Sequence, residues 1–297
     1  MAAATTASPI QAQSDSRRVQ NRVWTSLQGN KQALFGVIAL LVIGLSAALA
    51  SLIARHSPET IDMLMFQAAP SRDHILGTDS VGRDVFSRLL HGGRVSLSVS
   101  LIAVTINVTV GTLLGAIAGY AGGITDQIIM RISDSILAFP LLVLVIVAVA
   151  IAGSSLFNLI LVIGLTSWPS TSRIVRGQVL SLKREDYIAA ATALGADHTR
   201  IIRHHILPNI LAPIIVIATF DAASIVLLEG SLSFLGLGVQ PPQPSWGNML
   251  SDAQSLATLE SMPWLWVPPG LAIAITVLSL NFIGDALRQA LDPTSRS

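Results

Sequence analysis

The 297 residues contain no cysteine, which excludes disulfide frameworks, thiolate zinc or iron–sulfur sites and thiol nucleophiles. Charge is scarce: Asp, Glu, Lys and Arg make up 12% of the chain, about half the ~25% of an ordinary soluble domain. Hydrophobic residues make up 52%, and the mean hydropathy is +0.65. Such a composition excludes disorder and collagen and makes lipid the solvent for much of the chain. A formal charge of +1 leaves no electrostatic footprint for nucleic acid. Lysine is nearly missing. Lys31 follows Asn30 and Lys183 follows Leu182, so neither closes the glycine-rich loop of a Walker A site, and ATP hydrolysis by that route is excluded.

Catalytic and metal chemistry find no residues in the apolar stretches. The six histidines (His56, His74, His91, His198, His204 and His205) fall in segments read as loops. An intramembrane protease or metalloenzyme needs such groups inside its spans. His204 and His205 are adjacent, which is not a helical ligand spacing, so no metal site and no catalytic residue are expected.

Four stretches free of Asp, Glu, Lys and Arg are long enough to cross a bilayer: Gln32–Ala54, Val95–Thr125, Ser135–Ser172 and Ser261–Gly284. A fifth, Asn209 to about Leu235, is interrupted only by Asp221 and Glu229. As one helix, the 38 residues of Ser135–Ser172 would run roughly 57 Å, too far for a ~30 Å core. A turn at Gly153, Ser154 and Ser155 is therefore predicted, giving helices near Ser135–Ala152 and Leu156–Ser172. The expectation is an all-α membrane protein with six transmembrane helices.

Six spans put both termini on one side, and the loop Lys/Arg count chooses it. Thirteen basic residues, including Arg17, Arg18, Arg22, Lys31, Arg173, Arg176 and Arg203, fall on one side and five (Arg55, Arg72, Arg83, Arg88, Arg94) on the other. The predicted orientation is N-in, C-in. This divides the chain into a cytoplasmic tail (1–31), a first span (32–54), an outer loop (55–94), a core of five spans (95–290) and a cytoplasmic C-terminus (291–297). The core contains an inner loop, 173–208, and an outer loop, 236–263. Span one is too long and too late for a signal-peptide core and is read as retained.

Within the spans, Gly111, Gly115 and Gly119 form a small-xxx-small ridge that lets another helix approach closely, in this chain or in another. Asp221 and Glu229 are costly in lipid and share one broad helix side. Either they line a polar path, or Glu229 is solvated near the outer end while Asp221 is a buried acceptor. Prolines and glycines between Ser231 and Gly247 predict a non-helical connector or gate, with Trp264 and Trp266 at the interface. In the inner loop, Tyr187–Leu194 is strongly helix-forming, stops at Gly195, and is followed by a second helical stretch from Asp197 to Ile206 that ends before Pro208.

These last residues carry a resemblance. Asp186-Tyr-Ile-Ala-Ala-Ala-Thr-Ala-Leu-Gly195, nine further residues and His205-Ile-Leu-Pro208 resemble the EAA motif of ABC importer permeases. His74-Ile-Leu-Gly-Thr-Asp-Ser-Val-Gly-Arg-Asp-Val-Phe-Ser-Arg-Leu-Leu90 with Arg94-Val-Ser-Leu97 is similar to the first outer loop of the C-type permease subunit of dipeptide, oligopeptide, nickel and glutathione importers. Its motif residues are Gly77, Asp79, Gly82, Arg83 and Asp84. Ser231–Gly247 and Ala290-Leu-Asp-Pro293 look like the same subunit.

The resemblance implies a type I ABC importer permease (MetI-like) fold in the bacterial cytoplasmic membrane. It implies a homologous B-type permease as partner, two D/F-type ATPase subunits that bind the ATP and Mg, and an extracytoplasmic solute-binding protein delivering peptide. This chain would then need no cofactor. The EAA triplet falls on Ala189, Ala190 and Ala191, its glycine on Gly195, and its closing residues on His205, Leu207 and Pro208. Alanine stands at 189 where the motif has Glu, and His205 where it has an aliphatic residue, so Arg184, Asp186 or Arg200 are candidates for the polar ATPase contacts. A nickel chelate or glutathione are other cargoes of the same class. An ion-coupled secondary transporter using Asp221 or Glu229, or a purely structural subunit, are the readings from other classes.

Overall fold

Asn30 opens the first helix, α1 (Lys31–Ala48), by accepting the backbone N–H groups of Gln32 and Ala33 at 3.0 and 3.3 Å. The computed structural model describes residues 29–291. The tail with Arg17, Arg18 and Arg22, and the end with Asp292, Pro293 and Arg296, lie outside the described residues. A single turn, α2 (Ala50–Ile53), continues α1, and a loop leads to α3 (Val85–Ala121).

Helix α3 begins ten residues before the predicted span. Asp84 caps it, accepting from the backbone N–H of Ser87 at 2.8 Å and its hydroxyl at 2.7 Å. The charges at Arg88 and Arg94 end the apolar run without ending the helix, because both side chains find partners. Arg94 donates to the Ala47 and Ala48 carbonyls at 3.1 and 2.8 Å. With 37 residues, α3 is roughly 55 Å long and projects well beyond a ~30 Å hydrocarbon core.

Helices α4 (Gly123–Leu137) and α5 (Leu141–Ala152) follow, bent by 90° at the Ala138–Pro140 break. A single helix from Ser135 to Ala152 was expected. Pro140, with no N–H to donate, sits at the N-cap of α5 and starts a new helix direction. The predicted turn is present: Gly153 has φ +88°, and Ser155 caps α6 (Leu156–Leu182). The short α7 (Asp186–Ala193) and α8 (His198–Ile201) come next, then α9 (Leu207–Phe234), α10 (Trp246–Ser251), α11 (Leu256–Ser261) and α12 (Pro263–Leu291). Pro268 and Pro269 lie inside α12.

Among the described residues, four helical stretches are long and apolar enough to cross a membrane: α1, α3, His198–Phe234 and α12, with a fifth if the bent α4–α5 pair counts as one. The sixth span expected at Leu156–Ser172 belongs to α6. Its polar centre is turned toward α3, where Thr171 and Ser172 are fully buried, so composition alone does not mark it as lipid-facing.

The α3–α6 pairing is the most extensive in the fold, and the glycine ridge makes it. A Cβ on Gly111 would lie 2.6 Å from Thr171 Cβ, one on Gly115 2.4 Å from the Ser172 carbonyl oxygen, and one on Gly119 2.9 Å from Val179 Cβ. The partner left open by the sequence is therefore in this chain. An apolar core of Val99, Ala103, Val145, Leu159, Ile163 and Ile225 fills the middle. A second, with Val175, Val179, Ile188, Ile201 and Ile206, supports the α7–α8 end.

Candidate functional site

A cavity of about 260 Å³ opens between α3, α6, α9 and the α4–α5 elbow. Asn107, Thr166, Ser167, Ser170, Asp221 and Ser224 supply its polar wall, and Phe139, Ile225 and Leu228 contribute to its apolar wall. Asp221 Oδ2 accepts from Asn107 Nδ2 at 2.7 Å and from Thr171 Oγ1 at 3.1 Å. Two neutral donors hold the carboxylate in place, and no ion pair reaches it among the described residues. The structure adds Asn107 and Thr171 to what charge alone pointed to. Their signal was an Asn and a Thr within otherwise apolar helices, which a search for charged residues passes over.

Glu229 does not join Asp221 at this cavity. It is 1% exposed and enclosed by the hydroxyls of Ser233, at 2.7 Å, Ser96 and Ser245. It is not solvated and does not line this cavity: it is a polar knot joining α9, α3 and the start of α10. The two carboxylates share a helix, yet the elements packed on α9 treat them differently.

Above that knot lies the cap formed by the first loop and the 236–262 segment. Gly77 and Gly82 have φ of +70° and +80°, and a Cβ on Gly82 would lie 1.8 Å from the Asp62 carbonyl oxygen, so only glycine fits. Asp79 accepts from the backbone N–H groups of Val81 and Arg83 at 3.0 and 2.9 Å, and from Arg83 Nε at 2.6 Å. Arg88 Nε stands 3.4 Å from Asp79, and Asp252 stands 3.5 and 3.6 Å from Arg83 and Arg88. Trp246 covers the start of α3, donating from Nε1 to the Leu89 carbonyl at 3.1 Å.

At the opposite end, α7 and α8 form a knob. Gly195, at φ +82° with nothing near its would-be Cβ, ends α7. Asp197 caps α8. Ala189, Ala190, Arg184, Asp186 and Arg200 are exposed, and Ile188 is the residue of α7 that is buried. The second knob helix does not stop before Pro208. The chain passes through a π-turn (Ile202–Ile206) directly into α9, with Leu207 and Pro208 in its first turn. The wider turn accommodates the proline's missing N–H. His205 packs near Tyr187, ring centroids 6.2 Å apart. Tyr120 at the end of α3 ties the knob down: its hydroxyl is 2.8 Å from His198 Nδ1, and its carbonyl accepts from Lys183 Nζ at 2.8 Å. A cleft of about 870 Å³ lies there, lined by Tyr120, Lys183, Ala189, Thr192, Ala193 and His198 among others.

Comparison with known proteins places this geometry. Residues 111–297 match the binding-protein-dependent transport system inner membrane component family, and residues 21–70 match the N-terminal TM domain of oligopeptide transport permease C. The chain is 43% identical over 271 residues to the dipeptide transport system permease protein DppC of Alkalihalophilus pseudofirmus, covering 91% of this chain and 88% of that protein. It is 43% identical over 269 residues to the oligopeptide transport system permease protein OppC of Escherichia coli K12, covering 90% and 88%. Against OppC of Bacillus subtilis the identity is 39% over 270 residues, covering 91% and 88%. Among solved structures, an inward-facing MetNI methionine ABC transporter chain superposes with a TM-score of 0.55 at 19% identity, over 69% of this chain and 96% of that one. That likeness carries the fold, the permease fold of an ABC importer. The chain therefore belongs to the family of binding-protein-dependent transport system inner membrane components, multi-pass transport subunits of the inner membrane rather than enzymes.

Proposed function

We propose that this chain is the C-type half of a peptide importer's membrane path, six spans oriented N-in and C-in, paired with a homologous B-type permease. Two ATPase subunits, holding the ATP and Mg, dock at the knob, and a solute-binding protein delivers di- or oligopeptides at the cap. The peptide cargo is supported by the names of the relatives, which carry dipeptides and oligopeptides.

One observation carries the mechanism: α8, the second helix of the knob, runs through the π-turn into α9 as one continuous helical stretch, His198–Phe234. It spans roughly 55 Å and bears Asp221 a little past its middle. Movement of the knob by the ATPases is transmitted along this rod to the cavity wall. Exposed Ala189 and Ala190 leave room for close packing by an ATPase element in the adjoining cleft, and Arg184, Asp186 and Arg200 supply its polar contacts.

The test replaces Gly195 by Val, which cannot adopt its positive φ without strain. Assembly with the ATPases survives while ATP hydrolysis no longer drives peptide uptake in proteoliposomes. Unchanged uptake sinks the lever. Uptake that persists without any ATPase partner and collapses with the ion gradient replaces the importer by an ion-coupled carrier.

A further inference from the structure

Three donor side chains from separate stretches converge at the cap: His56 just after α2, His74 in the first loop and Asp84 at the N-cap of α3. One ligand atom from each lies within 4.8 Å of those of the other two. The imidazole centroids are 4.7 Å apart with the planes tilted by 31°, and His74 Nδ1 stands 2.9 Å from Asp84 Oδ1. We propose that His56, His74 and Asp84 bind a divalent transition-metal ion, zinc in the first instance, which ties the loop after α2 to the start of α3. Nothing in the importer reading requires this site.

The surroundings of the three groups prepare them as ligands. His56 Nε2 is 3.0 Å from the carbonyl oxygen of Asp73, an atom that only accepts. The ring proton therefore sits on Nε2, and Nδ1 carries the lone pair. Asp84 Oδ2 is occupied by the N–H and hydroxyl of Ser87, which leaves Oδ1 to face His74. Outer contacts of this kind fix the tautomer and orientation of metal ligands.

In the structure the His74 Nδ1–H donates to Asp84 Oδ1 across 2.9 Å. The ion takes that proton's place. Metal bonds of about 2.0–2.2 Å at tetrahedral angles set donors roughly 3.3–3.5 Å apart, so the His74–Asp84 contact opens slightly and His56 closes in. His56 is exposed and sits in a loop, so it is the group with room to move. Two imidazole nitrogens, one carboxylate oxygen and no sulfur suit zinc, cobalt(II) or nickel(II) better than magnesium or calcium. Three protein ligands leave one position for water.

The histidine pairing was invisible in the sequence because residues 56, 74 and 84 have no motif spacing. Only the folding of the first loop back onto the N-cap of α3 brings them together.

The test uses the full chain, purified in mild detergent without a histidine tag and titrated with cobalt(II). One equivalent binds, with the visible absorption of four-coordinate cobalt, and zinc(II) bleaches it. His56→Ala, an exposed substitution, abolishes the colour and weakens zinc binding by more than the ~10–100-fold that loss of an outer-shell partner costs. His74→Gln, which keeps a polar group opposite Asp84, does the same while helicity is retained. Wild-type protein that binds no stoichiometric cobalt overturns the site. So does binding that survives His56→Ala unchanged, or that disappears only when His204 and His205 are replaced, which would put the ion on the knob.

Discussion

At the cap, Asp79 and Arg88 are buried to 3% and 2% exposure and, with Arg83 and Asp252, neutralise one another within the chain. At the knob, α7 buries Ile188 and leaves Leu194 87% exposed, beside a large cleft and the exposed Arg184 and Arg200, for which no ion pair is found among the described residues. Both ends are loops in a membrane protein and both carry the sequence motifs of the family. The difference lies in who completes them. The cap pairs its own charges within the chain, as buried charges must be where water does not reach them. The knob leaves apolar and small residues exposed, a surface that the function proposed above gives to an ATPase subunit.

The largest test of this contrast is Asp79→Ala. It leaves two guanidinium groups buried against each other with Asp252 alone to compensate, and breaking a buried pair this way costs about 3–5 kcal/mol. Denaturant unfolding of the purified chain in detergent measures it. A loss comparable to that of a surface substitution would mean that the cap is solvated and unlike the structure described.

Next in size is the seam that joins the two ends. Gly115→Leu places a side chain where a Cβ alone would sit 2.4 Å from the Ser172 carbonyl oxygen. Backbone cannot yield as a flexible side chain does, so α3 and α6 must separate, at about 1–3 kcal/mol or more. Gly177→Ala, at a glycine inside α6 with open space around it, replaces a weak helix former by a strong one and costs no stability, with a gain of at most about 1 kcal/mol. A larger loss at Gly177 than at Gly115 would remove the seam as the organising contact.

At the knob the expected change in stability is small and the functional change large. Leu194→Glu lies on the surface of the isolated chain, so its unfolding free energy shifts by no more than ~0.5 kcal/mol. ATPase co-purification falls sharply, because a charge then meets an apolar partner surface. If stability falls and association does not, Leu194 packs within the chain and the knob is as self-contained as the cap.

Much of this architecture was legible in the sequence, for reasons particular residues make plain. Gly153 and Ser155 announced a turn because a 38-residue apolar run cannot cross a membrane once. The Gly111, Gly115, Gly119 ridge announced close packing because spacing by four defines a helix face, though not which helix meets it. Three features were hidden. Helix α3 starts at Val85 because Asp84 caps it and Arg88 is paired, neither of which a charge-free-run criterion can see. Pro208 does not end a helix because the π-turn before it absorbs the missing donor. Asp221 and Glu229 differ because Asn107 and Thr171 leave one at a cavity wall while three serines close over the other, and those contacts are set by packing between helices far apart in sequence.

The smallest prediction separates two carboxylates inside the cap itself. Asp79 is enclosed, with its side chain 4% exposed, whereas that of Asp252 is 27% exposed. Burial raises the Asp252 carboxyl above the usual carboxylate range, against the pull of Arg88 and Arg83 and aided by the charge on Asp79. The folded protein therefore holds that proton more tightly than the unfolded chain. The resulting contribution to stability is complete below the unfolded value of about 3.9 and is lost as pH rises through the higher folded value. Asp252→Asn lacks this dependence, so the stability of the wild type relative to the variant falls as pH is raised from about 4 toward neutrality. Melting of both proteins in parallel reads it. A wild-type advantage that grows with pH would make Asp252 primarily a salt-bridge partner of Arg83 and Arg88, and the ionic balance of the cap would then rest on both carboxylates equally.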